Sequence, residues 1–190
     1  MFCFWRIILQ PAVICNPSTR QVKFLPKLDV IGEYHYSFGF EPEAKIYKVI
    51  FMVRRWQEMY ARMWVFTLGK EESWRETGNV PHLCRREGVC INGVIYMFYC
   101  SHFGTIEIVA FDVKTESFII SCCIIMLEAS SSNIEYYKLM EVEGKLTVLE
   151  TRLVNGGINL WILGMSQHER WEKHIILGFP ATGSLVPDML

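Results

Sequence analysis

The fold is decided by residues 88–121, GVCINGVIYMFYCSHFGTIEIVAFDVKTESFIIS. Two apolar runs in this stretch flank Asn92-Gly93, the dipeptide that most readily supplies positive φ at both central positions of a type I′ hairpin turn. A third apolar run, Ile106–Asp112, follows a short loop, and a polar turn then leads into Ser117–Ser121. The stretch therefore predicts four short antiparallel strands in one small sheet, which can bury its faces only if similar sheets stack on it.

The four-strand unit recurs along the chain with two independent markers. The first marker is an apolar triplet, a polar turn and then an aromatic residue, and its aromatics are spaced by 50, 44 and 53 residues at Phe24, Trp74, Phe118 and Trp171. The second marker is the turn of the first hairpin, spaced by 49 and 51 residues at Glu43-Ala44, Asn92-Gly93 and Glu143-Gly144. A period near 50 residues is typical of the blades of a β-propeller.

The sequence thus predicts an all-β fold, an incomplete β-propeller-like array of about three and a half antiparallel four-stranded blades. We expect a worn N-terminal segment at 1–11, a propeller-like domain at 12–175 with units near 12–26, 34–76, 88–121 and 134–175, and a coil tail at 176–190. Closed propellers have about four to eight blades, so an open array exposes strand edges. Either the chain dimerises or packs irregularly to cover these edges, or it is a truncated gene product. Exposed edges would give concentration-dependent self-association in ultracentrifugation.

Composition limits the cellular setting and the kinds of partner. The formal net charge of −1 gives no indication of nucleic acid or an anionic membrane as a partner. Seven cysteines without framework spacing, and no Asn-x-Ser/Thr sequon, favour a reducing compartment, the cytoplasm or the nucleus. The longest charge-free run, Val89–Ile106, contains the Asn92-Gly93 turn and is therefore interpreted as a hairpin of a soluble protein rather than a membrane span.

Motifs of enzymes and cofactor sites are missing from the sequence. It has no G-x-S-x-G, phosphate loop or dinucleotide glycine pattern, so we predict no catalytic activity and no cofactor. A kelch-like enzyme, the alternative, would need a cluster of carboxylates, tyrosines or metal ligands on one rim. His82, Cys84, Cys100 and His102 could in principle offer four zinc ligands. The two pairs belong to different segments, so buried thiols and rim histidines are preferred and no metal is predicted.

Basic residues separate by type on the predicted topology. Lysines fall in the tight turns within blades, at Lys45, Lys70, Lys114 and Lys145. Arginines fall in or beside the loops expected at the opposite face, at Arg54, Arg55, Arg62, Arg85, Arg86 and Arg152. Because arginine makes bidentate contacts to carboxylates and phosphates and is favoured in interfaces, we interpret the loop face as the partner-binding face.

Trp56 adds to this interpretation because, unlike the tryptophans at repeat positions, it lies off the repeat and beside charges. The tryptophans at repeat positions are expected to pack between blades. The candidate partner-binding residues are Arg54, Arg55, Trp56, His82, Arg85, Arg86, His102 and Phe103. The alternative is that nearby carboxylates neutralise the arginines as ordinary surface pairs; these carboxylates are Glu58, Glu76, Glu87 and Glu128.

Eight short segments, in this order and at this spacing, carry a resemblance to a known family. They are Asn-Pro-Ser-Thr-Arg at 16–20, Gly-Phe-Glu-Pro at 39–42, Tyr-Lys-Val at 47–49, Ser-Trp-Arg at 73–75, Ile-Asn-Gly-Val-Ile-Tyr at 91–96, Phe-Asp-Val-x-x-Glu-x-Phe at 111–118, Gly-Lys-Leu at 144–146 and Leu-Trp-Ile-Leu at 160–163. Together they resemble the F-box associated interaction domain of plant F-box proteins, a kelch-related, propeller-like module.

The resemblance implies a substrate-recruiting module of an SCF-type ubiquitin ligase, in which the F-box docks on the complex and this domain holds the target. The implied partners are a protein substrate and components of the SCF ligase. We expect the F-box to precede residue 1, since no segment of this sequence is similar to it. Two positions depart from the family pattern, because Glu41 stands where an aspartate is usual and Met97 where a tryptophan is frequent.

Overall fold

The computed structural model describes residues 2–4, 12–55, 58, 60–80, 84–100, 106–119, 131–154, 157–164 and 171–177. Within these ranges the chain forms four antiparallel sheets, and one short 3-10 helix at Ser131–Tyr136. The chain divides into two compact units, residues 1–132 and 133–190. The predicted all-β, propeller-like fold class is confirmed.

The N-terminal sheet has three strands in the order β1-β2-β3. They are β1 (Phe2–Phe4), β2 (Val13–Asn16) and β3 (Gln21–Phe24). The sequence predicted the β2–β3 pair and a worn strand in the segment before it. β1 lies in that segment, and its backbone pairs with β2, with Cys3 opposite Ile14.

The first unit also contains two four-stranded sheets, each with its strands in chain order. The first full sheet consists of β4 (Glu33–Glu41), β5 (Ile46–Arg54), β6 (Ala61–Thr67) and β7 (Arg75–Val80). The second consists of β8 (Cys84–Ile91), β9 (Val94–Cys100), β10 (Ile106–Asp112) and β11 (Ser117–Ile119). The stretch that decides the fold thus forms a sheet of four antiparallel strands.

The second unit contains the third four-stranded sheet, again in chain order. Its strands are β12 (Tyr137–Val142), β13 (Lys145–Val154), β14 (Gly157–Leu163) and β15 (Trp171–Leu177). Ile134, expected to open this unit as a strand residue, lies in the 3-10 helix instead. The sheet holds a buried carboxylate, Glu150, which accepts hydrogen bonds from the Tyr137 hydroxyl at 3.3 Å and the Asn159 amide at 2.8 Å.

Two hairpins of the full sheets close through the predicted two-residue turn. Asn92 and Gly93 have φ of 48° and 84°, which is the left-handed conformation at both central positions of a type I′ turn. Glu143 and Gly144 repeat it with φ of 51° and 75°. These turns set the register, because Ile91 pairs directly with Val94 across the first of them.

A second kind of turn, with four loop residues, follows Asn16, Glu41 and Asp112. In each copy that side chain accepts a hydrogen bond from the backbone N–H two residues on, at 3.2, 2.8 and 2.8 Å respectively. The fourth loop residue has φ of 55–56° in all three copies, at Arg20, Lys45 and Glu116. Glu41, which departs from the family's aspartate, therefore still makes the hydrogen bond that closes this turn.

The core of the first unit lies on both faces of the first full sheet. One face packs against Ala12, Ile14 and Leu25 of the N-terminal segment through Val49, Phe51, Val53, Trp64 and Phe66. The other packs against Ile95, Met97, Phe111 and Val113 of the second full sheet through Ile50, Met52, Met63 and Val65. β5 is buried on both sides, which explains why its sequence is a continuous apolar run rather than an alternating one.

Tryptophan packing in the first unit agrees with the expectation from the repeat. Trp64 is buried in the core between the N-terminal and first full sheets, and Trp74 packs against the same cluster. The Trp74 indole Nε1 also donates a 2.7 Å hydrogen bond to the carbonyl of Pro26. The polar atom of this large side chain is thereby satisfied at the edge of the core.

A buried histidine lies on the face of β4 that meets the second full sheet. His35 Nε2 lies 3.2 Å from the Ser37 hydroxyl, which donates to Met97 Sδ at 3.1 Å. Burial lowers the pKa of His35 from 6.5 to about 4. The folded protein therefore holds His35 neutral at pH values at which the unfolded chain takes up a proton.

This histidine predicts an acid-dependent loss of stability. Because burial lowers the pKa of His35 in the folded protein, the contribution of this residue to the free energy of unfolding is fully present above pH 6.5 and is lost as the pH falls toward 4. We expect the free energy of unfolding to fall by about 2 kcal/mol between pH 7.5 and pH 5 because of this group. Urea titrations at both pH values measure the loss, which His35→Gln should remove and His174→Gln, on the exposed strand β15, should not. An unchanged pH dependence in His35→Gln would contradict the prediction.

Candidate functional site

The predicted partner-binding face is the end of each full sheet at which its second strand connects to its third. These connections span residues 55–60, 101–105 and 155–156. At the other end, the connections between the third and fourth strands were expected to be tight turns. In two sheets they are longer than the connections just given, because they span residues 68–74 after β6 and 164–170 after β14. The prediction that the long loops lie at one end of the sheets and only tight turns at the other is therefore wrong.

The loop at 68–74 shows the physical reason for this difference. It begins as a tight turn, because the N–H groups of Lys70 and Glu71 donate to the carbonyl of Thr67 at 3.3 and 3.1 Å and Gly69 has φ of 77°. The chain then runs on so that Trp74 reaches the core before β7 begins. A tight turn and a longer core-packing segment are thus combined in one connection.

Arg54 and Arg62 lie at the partner-binding end of the first full sheet, and both are paired. Arg54 ends β5 and donates to Glu33, its cross-strand neighbour on β4, at 2.8 Å. Arg62 donates to one oxygen of Glu76 through Nε and a terminal nitrogen, at 2.9 and 2.6 Å. Its guanidinium also lies 5.2 Å from the centroid of the Trp64 ring. Both arginines are therefore neutralised by carboxylates, as the alternative interpretation of the sequence proposed. That interpretation named Glu76 but not Glu33.

The other candidate residues differ in how far the structure describes them. Arg55 has an exposed side chain, and its carbonyl accepts a hydrogen bond from the N–H of Glu58 at 3.1 Å. Arg85 and Arg86 are placed by their backbone in β8, where the register shifts between Arg85 and Val89. The remaining candidates lie outside the described residues: Trp56, His82, His102 and Phe103.

Two exposed residues at the same end were missed by the sequence analysis. The side chain of Ile31, before β4, is 83% exposed, and that of Tyr60, before β6, is 57% exposed. Between Ile31 and β4, Gly32 has φ of 152°, and a Cβ there would lie 2.4 Å from the carbonyl oxygen of Arg54. This close approach requires glycine. In the sequence, only the Ile31-Gly32 dipeptide could have drawn attention to this position, and a dipeptide does not show whether its isoleucine is exposed.

At the opposite end of the first unit, ion pairs join the first full sheet to the second. Lys48 donates to Glu116 and to the carbonyl of Val113, both at 2.7 Å, and Arg75 donates to the same Glu116 carboxylate at 2.8 Å. Burial raises the pKa of Glu116, but hydrogen bonds from Lys48 and Arg75 outweigh it and hold the pKa below its usual value. This carboxylate ties the β10–β11 turn to the first full sheet.

The described part of the chain has neither a metal-binding cluster nor a helix that could span a membrane. Its residues contain no group of three or more His, Cys, Asp or Glu side chains arranged to hold a metal ion. The weighed zinc alternative involves His82 and His102, which lie outside the described residues, and Cys84 and Cys100, which are placed by backbone alone. Among the described residues, no helix has the length and apolar character needed to span a membrane.

Successive four-stranded antiparallel sheets, two of them packed face to face in the first unit, define a propeller-like repeat domain. Comparison with known families identifies its kind. A family described as the F-box associated beta propeller domain matches residues 3–187. The chain belongs to this family, and the resemblance seen in the sequence is confirmed.

Relatives among the curated proteins are F-box proteins of Arabidopsis thaliana. The chain is 34% identical over 175 residues to F-box protein DOR, covering 86% of this chain and 42% of that protein. It is 29% identical over 195 residues to the putative F-box protein At5g62660, covering 95% and 50%. It is 32% identical over 176 residues to F-box protein At2g21930, covering 85% and 42%. The chain thus spans about half the length of these relatives.

Proposed function

We propose that this chain is a non-catalytic protein-binding module that holds a target protein for an SCF-type ubiquitin ligase, in the cytoplasm or nucleus. The observation that carries the proposal is the family match over residues 3–187, together with relatives that are F-box proteins. The geometry is consistent with binding. At one end of the first full sheet the side chains of Arg55 and Tyr60 are exposed, and at its other end Lys48 forms an ion pair with Glu116 of the second full sheet.

The partner-binding role is tested by affinity capture of the tagged chain from plant cell extract, followed by mass spectrometry. We expect a reproducible protein partner. Recovery of the SCF adaptor and cullin with it would support the ligase role, and a partner without them would support a binding module that acts outside the ligase. Recovery of chaperones alone would contradict both.

Replacing Arg54, Arg55 and Trp56 together with alanine should abolish capture of that partner without changing the fold. Two positive charges and one aromatic side chain leave the proposed binding end, and interface energy is concentrated in such residues. The matched control is Lys45→Ala with Lys70→Ala, which removes two exposed positive charges from the opposite end of the same sheet. Capture that survives the triple replacement, or is lost equally in the control, would contradict the site assignment.

A further inference from the structure

The end of β5 forms a small rim with an apolar residue on each side. We define the β5 rim as Ile31, Arg54, Arg55 and Tyr60. β5 pairs with β4 on one side and with β6 on the other; Tyr60 immediately precedes β6, and Ile31 is separated from β4 by Gly32. Strands lie about 4.8 Å apart, so the chain segments that carry Ile31 and Tyr60 are separated by about 10 Å.

The charges around the rim cancel within the protein. Arg54 is paired with Glu33, and Arg62 is paired with Glu76, through contacts of 2.6–2.9 Å. Arg55 and Glu58 occupy the loop itself, both with exposed side chains. Among the described residues at this end of the sheet, three positive side chains, Arg54, Arg55 and Arg62, are matched in number by three negative ones, Glu33, Glu58 and Glu76.

This balance decides the chemistry of the partner. A phosphate that approached the Arg54 guanidinium would also approach the Glu33 carboxylate that contacts it, so attraction and repulsion would oppose each other. An uncharged apolar side chain meets no such opposition. It also removes the exposed surface of Ile31 and Tyr60 from water, which is favourable in proportion to the area buried.

We infer that the β5 rim binds an unphosphorylated segment of a target protein in the polyproline II conformation, through two apolar side chains about three residues apart. The spacing follows from the separation of about 10 Å, because this conformation rises about 3.1 Å per residue and its three residues per turn place side chains i and i+3 on the same face. This inference rests on the proposed function and names the chemistry of the target that the binding module takes. Apolar contacts thus take the place of the phosphate or carboxylate contacts that unpaired arginines would have favoured.

The test uses a displayed library of random twelve-residue peptides, selected on the full chain. We expect the enriched peptides to carry apolar residues about three positions apart, with low net charge. Synthetic copies with a phosphoserine between those residues should bind at least tenfold more weakly than unmodified copies. Ile31→Asp and Tyr60→Asp should each weaken binding of the unmodified peptides at least tenfold.

Matched controls separate the rim from the rest of the surface. Ile119→Asp and Tyr136→Asp place the same substitutions at exposed positions outside the rim and should leave binding unchanged. Arg54→Gln with Glu33→Gln removes the ion pair as a unit and should change binding less than about threefold. Denaturant unfolding of each variant verifies that it is folded.

The outcomes distinguish this inference from the proposed function. Enriched peptides that are acidic or bind better when phosphorylated, and that lose binding in Arg54→Gln, would overturn the apolar rim while leaving a binding module. Enriched peptides unaffected by Ile31→Asp and Tyr60→Asp would do the same. A folded chain that enriches no peptide would overturn the inference, and the capture experiment decides the proposed function separately.

Discussion

Phe51→Ala is expected to lower the free energy of unfolding by about 4 kcal/mol. Phe51 is fully buried in β5, between the N-terminal sheet and the first full sheet. Its ring centroid lies 4.4 Å from that of Tyr36 and 5.8 Å from those of Trp64 and Trp74. Tyr36 and Trp64 are held by the neighbouring strands β4 and β6, so their rings cannot close fully around the missing side chain, and the cavity adds to the lost burial.

The matched control for this prediction is Phe24→Ala, the same substitution on β3. Phe24 is 67% exposed, so we expect its removal to change stability by less than about 0.5 kcal/mol. Urea denaturation followed by far-ultraviolet circular dichroism measures both variants. If Phe51→Ala costs no more than Phe24→Ala, the N-terminal sheet does not pack on the first full sheet as described.

Local turn chemistry is the part of the fold that could be predicted from the sequence. Asn92-Gly93 and Glu143-Gly144 adopt positive φ at the predicted positions, because two-residue hairpin turns require it and few residues supply it. The bounds of β1 and its pairing with β2 could not be predicted, because three residues are too few to show periodicity and the pairing is a contact across the intervening chain.

The candidate site was harder to predict because its charges pair across distant positions. Glu33 and Arg54 are 21 residues apart, and Lys48 and Glu116 are 68 residues apart. Strand register brings Glu33 to Arg54, and the packing of the second full sheet on the first brings Glu116 to Lys48; no short motif encodes either pair. The sequence placed Arg54 at the partner-binding end of the sheet, but it could not show that the Glu33 carboxylate already contacts the guanidinium.

Glu116→Gln is expected to lower the free energy of unfolding by about 3 kcal/mol, the lower end of the range for breaking a buried ion pair. The Lys48 side chain is only 8% exposed. Without the carboxylate, its ammonium keeps the Val113 carbonyl as a strong acceptor but has no countercharge from Glu116. Urea denaturation at pH 7 measures the loss. Glu43→Gln, at the exposed pair with Lys114, is the control and should change stability little.

The two partners in this pair are expected to behave unequally, which makes a double-mutant cycle informative. Lys48→Met leaves Glu116 with Arg75, whose guanidinium still donates to it at 2.8 Å, so this single change should cost less than Glu116→Gln. Combining Lys48→Met with Glu116→Gln removes the uncompensated ammonium, so the double variant should be more stable than Glu116→Gln alone. Additive losses would instead mean that Lys48 and Glu116 contribute independently to holding the β10–β11 turn against the first full sheet.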